Sequence, residues 1–194
     1  MLNVISMQEL VAQEGKKLEG RKPKIILDTN SWRYAYSSDS HEIIATTGVM
    51  EELVKFRDIF PPESIERLTS LLNPKIEEIF PTELEEYLIL DAAAKRKKSS
   101  RKIRDIGWID TQQIAYAMRQ ALKEEPAIIL SNDGDILKTI SKLRKTLPYM
   151  KQHSLCVSPQ RYLERKYAGF LATENKSLRR SLLKEIELHH LIAA

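Results

Sequence analysis

The sequence predicts an α/β fold in three layers, with a central, mainly parallel sheet of about four or five strands between helices. Three observations lead there. Short aliphatic runs recur along the chain, among them KIIL at 24–27 and AIIL at 127–130. Stretches with apolar residues at helical spacing separate them. The runs are continuously apolar rather than alternating, as in parallel strands covered on both faces.

Residues 6–18 read as a short helix, because Ser6 and Glu9 stand at capping-box spacing and Gly20 follows its end. It lies outside the strand–helix alternation, so residues 1–22 are expected as an N-terminal helical extension and 23–165 as the domain proper. The run 24–27, bounded by Pro23 and polar residues, is the first strand, and 42–46 is the second. The helix over 48–60 carries Val49, Leu53 and Phe56 on one face and is closed by Pro61 and Pro62. A further helix spans 62–72, with Pro74 beyond it, and 75–80 offers a third strand. Thr82 and Glu85 form another capping box and open a helix to about Lys98. The helix over 110–125 has Ile114, Ala117, Met118, Ala121 and Leu122 as its apolar stripe. A strand at 127–131, a helix over 135–145 and a fifth strand at 153–158 follow. Helices over 159–171 and 175–192 end the chain, and 166–194 is expected as a C-terminal helical extension.

The 194 residues are 42% hydrophobic and 30% charged. No apolar run approaches the roughly 18–20 residues of a membrane span. The first residues lack the basic and apolar regions of a signal peptide. The single cysteine, Cys156, excludes an internal disulfide, reads as a small buried hydrophobe and fits a reducing, cytoplasmic compartment. There is no GxGxxG, no GxxxxGK[ST], no HExxH and no cysteine pair, so phosphate-cradling loops and a zinc site are not expected. His189 and His190 read as surface residues, and His41 and His153 as structural or exposed. Net charge is +4, and Lys95, Arg96, Lys97, Lys98, Arg101, Lys102 and Arg104 crowd into one acid-free stretch.

The acids fall where a parallel sheet collects ligands, at the carboxyl ends of its strands. Asp28 directly follows the first strand, Asp133 and Asp135 follow the fourth, and Glu51 and Glu52 lie early in the helix after the second. Asp110 opens or caps the helix that leads into the fourth strand. Each acid alone also fits turn or capping chemistry. Gathered at one edge they repel, unless a cation neutralises them. Such hard oxygen ligands suit Mg²⁺ or Mn²⁺.

In this order the motifs resemble the PIN domain, a family of metal-dependent nucleases. IILDTN carries the first acid, MEELVKF the second, IDTQQIAYA the third and LSNDGDIL the fourth. The likeness covers about residues 24–165. It places the second acid on Glu52, with Glu51 as the alternative, and the third on Asp110, with Asp105 as its rival.

The resemblance implies hydrolysis of phosphodiesters, chiefly in RNA, in RNA processing or decay. It implies Asp28, Asp110 and Asp133 as metal ligands, with Glu52 and Asp135 as outer or second-metal groups. Thr29, Asn30 and Ser131 would orient the carboxylates. The basic stretch would hold the nucleic-acid backbone. Trp108 is assigned to core packing, with stacking on an unpaired base as the alternative, and Trp32 is subject to the same choice. Leu178, Leu182, Leu183 and Ile186 make an amphipathic face that would dock on the domain or on a partner subunit, and no membrane partner is expected. A PIN-like module that binds RNA or protein without cutting, a toxin of a toxin–antitoxin pair and a DNA nuclease stand as alternatives. A DxDx[TV] phosphatase is not, because Asn30 stands where the second Asp belongs.

Overall fold

The computed structural model describes residues 7–20, 22–34, 41–55, 62–94 and 106–166. Five strands form one sheet: β1 (Lys24–Leu27), β2 (Ile43–Thr46), β3 (Lys75–Glu77), β4 (Ala127–Leu130) and β5 (Ser154–Val157). Their order is β3-β2-β1-β4-β5, and every neighbouring pair is parallel. The helices are α1 (Met7–Gly15), α2 (Thr47–Lys55), α3 (Pro62–Leu72), α4 (Glu83–Ala94), α5 (Trp108–Leu122), α6 (Gly134–Thr146), α7 (Pro148–His153) and α8 (Pro159–Lys166). A short 3-10 helix spans Thr29–Tyr34.

The chain is a three-layer α/β/α fold, as its aliphatic runs predict. Successive strand residues face opposite layers. Ile26, Ile44 and Ile129 enter a core with residues of α4, α5 and α6. Ile25, Leu27, Ile128 and Leu130 enter the other core, with residues of α1, α2 and α8. With both faces covered, β1, β2 and β4 are apolar except for Lys24 and Thr46 at strand ends, which is why they read as nearly unbroken runs. At roughly 25 cal/mol per Å² of apolar surface removed from water, these two cores are the principal stabilising term.

α1, expected as an extension, buries Leu10 and Val11 in the second core beside Leu163 of α8. The third strand is shorter than expected and ends at Glu77, at an edge where Ile76 is half exposed. Thr82 and Glu85 do make their capping box: Glu85 Oε2 accepts from Thr82 N at 2.8 Å and Thr82 Oγ1 from Glu85 N at 3.3 Å. The sequence reading did not separate α7, a six-residue helix with Pro148 at its start. Trp32 is completely buried, so for this residue core packing holds. The basic stretch 95–104, Asp105 and the helix expected over 175–192 lie outside the described residues. Among the described residues, no helix is long and apolar enough to cross a membrane.

Two helices meet closely where the cores end. A Cβ on Gly48 of α2 would come 2.5 Å from Gln112 Oε1 and 2.9 Å from Ile109 Cγ1 of α5. Gln112 cannot retreat without loosening its 2.9 Å donation from Nε2 to the Ile79 carbonyl. Gly48→Ala is therefore expected to destabilise the fold by about 1–3 kcal/mol. Urea unfolding of both forms checks this, and an unchanged midpoint would show that α2 and α5 have slack the structure does not display.

Candidate functional site

Parallel strands deliver their following loops to one edge of the sheet. α5 runs back against the strand it feeds, so its first turn reaches that same edge. Asp28, Glu52, Asp110 and Asp133 accordingly line one open cavity of about 730 Å³, although they come from four separate segments of the chain. Glu51 and Glu78 line it too, and among the described lining residues Lys55 is the one cation.

Asp28 is the centre of the arrangement and is buried. Its Oδ1 accepts from Thr29 N at 2.8 Å and from Gln113 Nε2 at 3.1 Å. Its Oδ2 accepts from Asn30 Nδ2 at 2.5 Å and from Ser131 Oγ at 2.6 Å. A carboxylate offers about four lone-pair positions, and donors hold all of them. Burial pushes the Asp28 carboxyl above its ordinary range and the Glu52 charge adds to this, against the donations from Ser131, Gln113 and Thr29.

The donors tie the other acids in. Thr29 Oγ1 donates to Glu52 Oε2 at 2.5 Å. Ser131 Oγ, while donating to Asp28, accepts from Asp133 N at 2.9 Å. Asn30 Oδ1 accepts from Asn132 N at 2.7 Å, and Asn132 Oδ1 accepts from Ser158 Oγ at 2.8 Å. Thr29, Asn30 and Ser131 thus each donate to a carboxylate of the cavity.

Three expectations change. Asp110 does not begin its helix: α5 starts at Trp108, and Asp110 sits in the first turn and reaches back so that its Oδ2 accepts from Gly107 N at 3.3 Å. An acid at this position complements the exposed N–H groups of the helix start. Asp135 is not among the described residues lining the cavity; its backbone N–H donates to Asp133 Oδ1 at 2.5 Å, which makes Asp133 the cap of α6. Trp108, assigned to core packing, is 53% exposed on the cavity wall.

Two residues escaped the sequence reading. Gln112 and Gln113 are both buried in the first half of α5; Gln112 lines the cavity and Gln113 holds Asp28. The available signal was a polar pair set into an otherwise apolar helix.

The donor set is all oxygen and acidic, which fits a hard divalent cation in type. Among the described residues, no group of three or more His, Cys, Asp or Glu side chains is arranged to hold a metal ion as it stands. Both oxygens of Asp28 are already engaged by donors. Of the four donors, Thr29 N, Gln113 and Ser131 are buried, and the half-buried Asn30 is the one able to yield.

The fold and the site define an α/β/α protein with an acid-lined cavity at the carboxyl edge of its sheet. Comparison of the chain with protein-family models, with curated proteins and with solved structures finds no match.

Crowding is strongest at Asp110, whose carboxyl is pushed up to about 7, first by burial and then by the charges of Asp28 and Asp133. Unfolded, the same carboxyl titrates near 3.8. The folded chain therefore binds more protons between these values, so stability falls as pH rises through that window. Without divalent cations, Asp110→Asn is expected to stabilise the protein at about pH 8 by roughly 1–2 kcal/mol, after allowance for solvent screening. At about pH 2–3, below both values, where both states are largely protonated, it should change little. Thermal melts across this range decide it, and a loss of stability at the higher pH would contradict the repulsion.

Proposed function

We propose that the chain is a metal-dependent endoribonuclease of the PIN-like kind, hydrolysing RNA phosphodiester bonds at the carboxylate cluster. One observation carries this reading: acids from four distant segments share a cavity in which Asp110 is pushed up to about 7 by burial and by its neighbours. A fold gains nothing structurally from such repulsion, and a site that takes a divalent cation does. The acid at the end of β1 is the one carried by IILDTN, the first of the motifs that resemble the PIN domain.

Asp28, Asp110 and Asp133 would hold the cation, with Glu52 as an outer group held by Thr29. Mg²⁺ or Mn²⁺, when bound, supplies charge to offset the phosphate and to acidify a water. The chain's own residues do the positioning. Ser131 and Gln113 fix the Asp28 carboxylate from behind, and the Ser131 hydroxyl sets the distance between the Asp28 and Asp133 segments. Thr29 holds the Glu52 carboxylate beside Asp28. Asn30 is the donor that swings aside to open a lone pair of Asp28. The non-cleaving alternative draws on one feature, the complete engagement of Asp28 by donors.

Purified protein with a mixed RNA pool and Mn²⁺ is expected to cleave, and chelation should stop cleavage. Asp28→Asn and Asp133→Asn are each expected to lower the rate by about 100-fold or more, and Ser131→Ala by roughly 10–100-fold, as for residues that orient metal ligands. Mn²⁺ should also raise the melting temperature of the wild type and not of the Asp133→Asn form. Cleavage that persists in both Asn variants would overturn the site; RNA bound but never cut would favour the non-cleaving module.

A further inference from the structure

We propose that Trp108 and Phe80 form a stacking clamp for one unpaired nucleobase at the open wall of the acid-lined cavity, so that the site takes single-stranded rather than duplex substrate. This deepens the nuclease reading and rests on it for the class of substrate.

Large aromatic side chains normally bury, and an exposed pair beside a polar site calls for a partner. Trp108 is 53% and Phe80 65% exposed, and both line the cavity that holds the carboxylates. Neither is exposed through slack backbone. Ile79, next to Phe80, is buried, and its carbonyl accepts from Gln112 Nε2 at 2.9 Å. The Phe80 carbonyl accepts from an Arg119 guanidinium nitrogen at 2.5 Å. The chain is thus pinned to α5 on both sides of the Phe80 ring. Trp108 is the first residue of α5 and lies one turn before Gln112, on the same helix face. Gln112 therefore joins the segments that carry the two rings.

The charge of the wall explains why rings are needed. Among its described residues, Lys55 stands alone against Glu51, Glu52, Glu78 and the three aspartates. The described part of this wall disfavours a phosphate backbone but is indifferent to the neutral face of a base. Stacking on an aromatic ring tolerates any base, because every base has a π-face. A duplex hides those faces, so the clamp selects unpaired strands.

The test measures binding apart from cleavage. The full chain is titrated in Ca²⁺ with a short RNA strand, the same strand annealed to its complement, and an abasic strand of equal length and charge, each checked on a gel for intactness. Trp108 is the solvent-accessible indole and Trp32 is fully buried, which makes Trp32 an unresponsive internal reference. The base-bearing single strand should quench the accessible emission, and the duplex and the abasic strand should not. Read by the anisotropy of an end-labelled strand, which needs no tryptophan, Trp108→Ala and Phe80→Ala should each weaken that strand about tenfold or more, leave the abasic strand unchanged and, being exposed, leave folding intact. Trp108→Phe should retain most of the affinity. Equal binding of abasic and base-bearing strands, or unchanged affinity in both Ala variants, would overturn the clamp even if Mn²⁺-dependent cleavage is found. Quenching in Ca²⁺ with no cleavage in Mn²⁺ would instead sink the nuclease reading and leave the clamp standing.

Discussion

The hold on Asp28 is the constraint from which the rest of the site follows. A carboxylate buried at the end of the central strand is tolerable only if donors replace the water it loses. The donors come from its own turn, from α5 and from the segment after β4. Three of the four have a second tie: Thr29 to Glu52, Asn30 to Asn132, Ser131 to Asp133. Satisfying one carboxylate therefore fixes the relative positions of two other acids. Linked bonds of this kind hold together or fail together, because a half-satisfied network would leave buried polar groups unpaired.

That network sits at the point where the strand order reverses. β1 lies between β2 and β4, and its in-register pairing with β4 brings Leu27 opposite Leu130, so the two following segments diverge from adjacent positions. Crevices for ligands arise at such reversals. The Ser31 hydroxyl, which donates to the carbonyls of both Asp28 and Leu130, closes the floor between them. The repulsion among the acids works against this geometry. It is resisted by the two apolar layers immediately beneath, in which Ile26 and Ile129 face one way and Leu27 and Leu130 the other.

Much of this was legible in the chain, and the reasons differ by residue. The strands were visible because burial on both faces leaves no room for polar residues in 25–27 or 127–130. Asp28 and Asp133 were visible because they end those runs. Asp110 was found for a weaker reason, its place before an Ala-rich helix, and the boundary was off because Gly107, which has no side chain to signal a cap, precedes α5. Gln113 could not be read as an Asp28 ligand, since that contact spans 85 positions and depends on how α5 packs. Trp108 and Trp32 are alike in sequence terms, each beside an acid motif, yet one is exposed and the other fully buried. Only the packing of the element that carries each could separate them. α7 was missed because six residues hold too few turns for a periodic pattern, and Pro148 was its one sign.

A proton and, under the proposed function, a divalent cation would relieve the charge of the cluster in different ways. A proton on Asp110, held up to about 7, removes one negative charge from the cavity. A divalent cation offsets two, at the cost of a donor released from Asp28. The first needs no movement; the second, if the proposed function holds, would need the Asn30 side chain to leave Oδ2 while Ser131 and Gln113 keep the carboxylate in place. Asn30 is suited to this because its own carbonyl oxygen already has a partner in the Asn132 N–H. Its side chain can exchange one contact without abandoning the network. The same residue types that make IILDTN a good turn therefore supply a fixed acid and a replaceable donor within three positions, and the requirement for both is a physical reason to find Asn rather than a second Asp beside it.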